Sequence, residues 1–422
     1  MTIKLTIGRK FFLVSVFLAL IIGGFMLKST VKAPQTTNKA RFWNFQSIDT
    51  MKWSRDLSRE KLNDPTFDVT IERQIKSIAD TGATHVGIAT PYDEEFLPIL
   101  KRWVKYARQY NLKVWFRGNF SGWEGWFDYQ KIGRAEHIQK TEKFILENSN
   151  LFEDGDAFSA CPECENGGPG DPRLNGDSGG HKKFLIEEYL VTKKAFNKIN
   201  KKVDSNYHSM NGDVAKLIMD KETTSKLDGI VVIDHYVKTP EKLVEDINEY
   251  AQKSGGKVIL GEFGAPIPDI NGAMSELEQA EWLTKTMYLL SNNDNVVGMN
   301  YWVNTGGSTQ IWEPSGKERL AVASLRKAYD PYSYSGSVVN SLSQSIDNAI
   351  ITDSLGAVIT QQNGIFSFAS VNNNLEVEVS AVGYKSQIVN LRDNENNKIT
   401  LEKINPSIIE RFIKYFRSPI NF

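Results

Sequence analysis

Between residues 45 and 330 the chain alternates short apolar runs with amphipathic stretches eight times, and this alternation decides what it can fold into. The runs 47–53, 84–89, 113–118, 157–161, 203–209, 230–235, 258–262 and 296–302 read as strands. The stretches 67–79, 94–110, 133–148, 182–200, 214–226, 240–252, 275–291 and 317–328 read as the helices that follow them. In the first of these, Ile71, Ile75 and Ile78 recur at helical spacing. Val258, Ile259 and Leu260 form an unbroken apolar run of the kind a strand buried on both faces shows. Eight strand–helix units predict an α/β chain folded as a (β/α)8 TIM barrel. An open doubly wound sheet would carry a glycine-rich phosphate loop after its first strand, and there is none.

The flanks differ in composition. Lys4, Arg9 and Lys10 precede an uncharged run from Phe11 to Leu27, closed by Lys28. Residues 1–28 are expected to be an N-terminal transmembrane helix acting as a signal-anchor, with a cleaved signal peptide as the alternative; either exports the protein. The polar stretch 29–40 reads as a linker and 41–334 as the barrel domain. Residues 335–403 hold short β-rich runs broken by Gly, Asn and Asp, which predicts a small antiparallel, all-β sandwich. The pattern from Asp353 to Phe368, with Asn363-Gly364-Ile365-Phe366, and the later Val382-Gly383-Tyr384 resemble the carboxypeptidase regulatory-like domain. That resemblance implies a seven-strand accessory module without catalysis. In the tail, 404–422, Ile409, Phe412, Ile413 and Phe416 share one helical face.

A net charge of −1 gives no electrostatic footprint for nucleic acid. The only two cysteines, Cys161 and Cys164, bracket Glu163; without further Cys or His at ligand spacing they read as packing residues or a local disulfide. The chain has no Walker motif or metal triad, so no metal and no cofactor is expected.

Two strand ends carry acids. Glu262 closes the seventh run, within Gly261-Glu262-Phe263-Gly264, and the fourth run leads into Cys161-Pro162-Glu163-Cys164-Glu165-Asn166. Side chains at the carboxyl ends of barrel strands converge on one face, and two opposed carboxylates are what glycoside hydrolysis requires. Over residues 45–330 this arrangement resembles the clan A glycoside hydrolases, on Glu163, His235-Tyr236, Glu262-Phe263-Gly264 and Trp302. The resemblance implies an acid/base at Glu163, a nucleophile at Glu262, and His235, Tyr236 and Trp302 lining the subsite of cleavage. The clan has Asn before its acid/base, whereas this chain has Pro162, so Glu165 stays open as the proton donor. Further substrate-binding candidates are Arg55, Arg117, Asn119, Asn166, Asn206 and His208, with Trp123 and Trp126 stacking on sugar faces. A tyrosine at 236 could orient the nucleophile, and Arg55 or Arg117 could hold it ionised. The expected protein is an exported, membrane-tethered retaining β-glycoside hydrolase acting on an extracellular or cell-envelope polysaccharide. The alternatives are a silent glycan-binding protein and a transglycosylase using the same pair.

Overall fold

The computed structural model describes residues 41–353, 358–359 and 363–404. The chain divides into Met1–Lys39 and Ala40–Phe422, and every described residue lies in the second unit. The expected anchor and linker, and the tail beyond Ile404, thus fall outside the described residues. Among the described residues, no helix is long and apolar enough to cross a membrane.

Eight strands, β1 (Phe45–Asp49), β2 (His85–Ile88), β3 (Lys113–Phe116), β4 (Ala157–Phe158), β5 (Ser209–Asn211), β6 (Ile230–Asp234), β7 (Lys257–Phe263) and β8 (Val296–Tyr301), pair in parallel in the order β4-β3-β2-β1-β8-β7-β6-β5. The remaining gap is closed by a parallel bridge from Ala157 to Asp204 and by Glu163 N donating to Ser209 O at 2.7 Å. The ring is a (β/α)8 barrel. The helices outside it are α1 (Phe67–Ala79), α2 (Leu97–Gln109), α3 (Arg134–Glu147), α4 (Ser178–Lys198), α5 (Gly212–Ile218), α6 (Pro240–Ser254), α7 (Glu276–Ser291) and α8 (Ala321–Tyr329). Local sequence sets their ends. Thr239 caps α6, with Pro240 in its first turn, and Ser275 and Glu278 form a reciprocal capping box on α7.

Each strand turns alternate residues inward, and the floor of the barrel is filled by Phe45, Trp115, Ala157, Tyr207, Val232 and Ile259. Three expectations shift. The first strand stops at Asp49, because Asp49 Oδ1 accepts from Met51 N at 2.6 Å and starts a helical turn, Met51–Ser54. The fifth strand forms only at Ser209–Asn211, since 203–208 pairs with β4 at isolated points. The fifth helix breaks at Asp220, which caps a separate helix, Lys221–Lys226, by accepting from Thr223 N.

Beyond α8 the chain forms β9 (Tyr332–Asn340), β10 (Ile350–Asp353), β11 (Val358–Ile359), β12 (Ile365–Ser370), β13 (Leu375–Ser380), β14 (Gln387–Leu391) and β15 (Asn396–Leu401). They make two sheets, β11-β10-β13-β14 and β12-β9-β15, around Tyr334, Val338, Ile351, Phe366, Val377, Val379 and Leu401. The module begins at Tyr332, slightly before the expected 335. It is not wholly antiparallel: the turn after β14 carries the chain to the other sheet, where β15 runs parallel to β9.

Candidate active site

Above the barrel floor the next inward layer is polar: Asp49 on β1, Arg117 after β3, Ser209 on β5, Asp234 on β6 and Asn300 on β8, all buried. Arg117 is its centre. The guanidinium pairs with Asp49, with Asp234 at 3.4 Å and with Glu262 at 3.0 Å. Asn300 Nδ2 donates to Asp49 Oδ2 and to Gly261 O. Glycine makes room for this layer: a Cβ on Gly261 would lie 2.3 Å from Asp234 Oδ1. Gly261 is also the extra residue of a β-bulge, since Ile233 pairs with Leu260 and Asp234 with Glu262. The bulge turns Glu262 inward at a position where strict alternation would point it out. Tyr236, two residues beyond Asp234, then donates from its hydroxyl to Glu262 Oε2 at 2.7 Å.

The second carboxylate stands in the loop after β4. Cys161 and Cys164 are joined by a disulfide across this loop. Glu163 sits in the left-handed region, at φ 45°, and Cys164–Asn166 follow as a turn of 3-10 helix. A non-glycine residue held there costs on the order of 1–3 kcal/mol, and such strain gathers where a side chain must be aimed. The segment is a turn and not an extended strand, and the two glutamates meet at Asn211. Glu163 accepts from Asn166 Nδ2 at 3.0 Å and from Asn211 Nδ2 at 3.3 Å. Glu165 is buried, and its Oε1 accepts from Asn211 N at 2.7 Å and Asn211 Nδ2 at 3.1 Å.

Burial, with Glu165 beside it, raises the pKa of Glu163 against the pull of Arg117 and Arg55. Burial also lifts Glu262, to about 7; Arg117 and the Tyr236 hydroxyl pull it down, while Glu163 and Asp49 push it up. The two glutamates therefore titrate as a pair. Asp234 is held well above its ordinary value, by burial and then by Glu262. Burial works against the Arg117 charge, but Asp49, Glu262 and Asp234 outweigh it.

The other expected residues divide. Trp302 is half-buried and meets Tyr236 edge-on at 6.0 Å, with Lys52 Nζ 5.8 Å from its ring. Arg55 lies over Trp126 at 4.7 Å on the rim, bonded to Asp56 and within electrostatic reach of Glu163. Asn119 is buried beyond the end of β3 and bonds Glu124 and His137 on α3. Four expectations are overturned. Trp123 is buried, stacks on Phe184 at 5.0 Å and donates to Cys164 O, so it props the acid loop from below instead of offering a face to sugar. Asn206, His208 and His235 occupy the outward positions of their segments, between inward Tyr207, Ser209, Asp234 and Tyr236. Asn206 bonds Leu227 O, and His235 bonds Asp246 on α6. His208 is buried, its ring held near 4 by burial.

Asp49, Asp234, Asn300 and Glu124 escaped the sequence reading. The first three lie inside the expected runs 47–53, 230–235 and 296–302, and only knowledge of the inward phase singles them out. Glu124 lies in a loop whose Gly and Trp residues drew attention away from it. No cluster among the described residues could hold a metal ion.

No family model matches the chain, and no curated protein does. Among solved structures, it is similar to a GH5_18 protein of Bifidobacterium longum in complex with Manb1-4GlcNAc, at 13% identity and a TM-score of 0.50, over 70% of this chain and 81% of that one. It is also similar to β-glucuronidase 2 of Bacteroides uniformis, at 12% identity and TM-score 0.46, over 79% of this chain and 44% of that one. A β-glucuronidase of Ruminococcus gnavus gives 14% identity and TM-score 0.43, over 62% and 45%. The chain spans about half the length of these β-glucuronidases. At these identities the likeness to the Bifidobacterium protein shows a shared fold alone.

Proposed function

We propose that the barrel is a retaining β-glycoside hydrolase, exported and tethered to the membrane by residues 1–28, that cleaves an extracellular or cell-envelope polysaccharide. One observation carries the reading: Glu262 is held by Arg117 at 3.0 Å and by the Tyr236 hydroxyl at 2.7 Å, in the same coupled pocket as Glu163. A carboxylate with a cation on one oxygen and a hydroxyl on the other is oriented and supported in its charged form, as a nucleophile must be. Glu163 has only amide donors and carries a further carboxyl beside it, so the proton of the pair rests there. Glu262 attacks the anomeric carbon while Glu163 gives its proton to the departing oxygen, leaving a glycosyl ester on Glu262. Glu163, now a carboxylate, takes a proton from water, which attacks the same carbon and frees Glu262. Two inversions give net retention. Glu165, tied to Asn211, positions the loop. The membrane tether is supported by the uncharged run Phe11–Leu27 between basic residues.

The full-length protein and Glu262→Gln are tested on a panel of neutral and charged β-linked polysaccharides, with new reducing ends as the readout. Wild type releases sugar from at least one, and Glu262→Gln is slower by more than about 10³-fold with its fold intact. Binding of a glycan without cleavage by the wild type supports the silent glycan-binding reading instead.

A further inference from the structure

The loop after β3 carries a carboxyl group that the double displacement does not use. Glu124 ends the short helix Ser121–Glu124 and is half-buried. Its Oε1 accepts a 2.6 Å hydrogen bond from Asn119 Nδ2. The Asn119 amide is itself fixed, because Phe120 N donates to its Oδ1 at 2.8 Å. The same oxygen lies 2.8 Å from His137 Nε2, which therefore donates to it. His137 Nδ1 pairs with Glu188 Oε1 on α4, and Asn119, His137 and Glu188 are all fully buried. A chain of four side chains thus runs from behind the barrel to the mouth and ends on Glu124 Oε1. Among the described residues, the carboxyl of Glu124 makes its one hydrogen bond at Oε1, which leaves Oε2 open.

We propose that Glu124 is a substrate-binding residue of this site, donating a hydrogen bond from Oε2 to an uncharged acceptor oxygen of the sugar beside Glu163. The inference rests on the glycoside hydrolase reading. The charged groups acting on Glu124 are Glu163 and Glu165 from the β4 loop and Arg55 from the segment after β1. Burial, opposed by Asn119 and reinforced by Glu163, lifts its carboxyl to about 8, so it carries a proton at neutral pH. Since Oε1 is occupied as an acceptor, the proton sits on Oε2. A neutral acid offers a donor and no charge. It therefore selects a hydroxyl or acetamido oxygen over the ammonium of an amino sugar.

Two measurements on full-length wild type, Glu124→Gln and Glu124→Ala test this. The infrared difference between wild type and Glu124→Gln at pH 6, with no sugar present, is expected to show the carbonyl band of a protonated carboxyl; its absence overturns the proposal whatever is cleaved. Steady-state kinetics are then run on 4-nitrophenyl β-cellobioside, which offers hydroxyls, and on 4-nitrophenyl N,N′-diacetyl-β-chitobioside, which adds acetamido carbonyls; the better substrate identifies the acceptor. On it, KM is expected to rise about threefold in Glu124→Gln, whose amide replaces the donor, and about thirtyfold in Glu124→Ala, with kcat moving less. Wild-type KM should climb above pH 8 and that of Glu124→Gln should not. Equal KM values for the two variants, or a wild-type KM flat through pH 8, reduce Glu124 to a structural role and overturn the proposal. If the protonated band is present but wild type cleaves neither glycoside nor any member of the polysaccharide panel, the hydrolase reading falls, and the substrate role with it, while the buried neutral acid stands.

Discussion

Glu163 and Glu165 lie two positions apart, and their surroundings separate them: only Glu163 is coupled to Glu262. Removing a proton donor slows poor leaving groups far more than activated phenols and opens a gap beside the glycosyl-enzyme. Glu163→Ala should hydrolyse activated aryl glycosides much better than natural glycan, with azide restoring rate and giving a glycosyl azide of retained configuration. Glu165→Ala should weaken both substrate types alike and ignore azide; the reverse pattern would move the acid/base by two residues. Because burial holds Glu262 near 7, activity should be lost as pH falls through about 7, above the ordinary carboxylate range. With the proton of the pair on Glu163, that residue is uncharged while Glu262 titrates, so the acid limb measured on an activated aryl glycoside should stay in place in Glu163→Gln. A limb that moves to lower pH would show that Glu163 is charged there and that the proton rests on Glu262. The sequence made Glu262, Tyr236 and Trp302 legible because each ends an apolar run. His208, His235 and Asn206 were misread because strand ends alone do not give the inward phase.

At the scale of elements, the bulge at Gly261 and the turn at Glu163 do the aiming. Gly261→Ala would press a Cβ to 2.3 Å from Asp234 Oδ1, in a layer with no free space. Thermal or denaturant unfolding should show a loss of about 1–3 kcal/mol, with kcat lowered through displacement of Glu262. Full stability and activity would mean that the bulge does not set the nucleophile. Most barrel elements were readable from period and caps. α1 appears at its expected bounds, and β7, buried on both faces, stood out as an apolar run. β15, Asn396–Leu401, is faint in the sequence because its Asn and Lys face solvent and leave only Ile399 and Leu401 as a signal. β9 is faint because its serines interrupt the apolar positions.

Across the whole molecule, buried acids and buried histidines pull stability in opposite directions. Glu124, Asp234 and Glu262 all have folded values above their unfolded ones, so the stability they contribute is lost as pH rises through those folded values. His85, His181 and His208, each held near 4 by burial, contribute stability that is gained as pH rises toward 6.5 and is constant above it. The melting temperature should therefore decline from pH 6.5 to 8.5, less steeply in Glu124→Gln; a rise over that range would contradict the buried neutral acids. Cell fractionation with N-terminal sequencing tests the tether: a mature protein that keeps Met1 and sediments with membranes is expected, and a mature terminus near residue 34 would identify a signal peptide. The central claim, that Glu262 attacks sugar, is tested most directly by trapping the ester. The protein is incubated with 2-deoxy-2-fluoro β-glycosyl fluorides of the sugars released from the panel, digested, and sequenced by mass spectrometry. The account predicts one added glycosyl mass, on Glu262, and none in Glu262→Gln; a label on Glu163, Glu165 or Glu124 would contradict it.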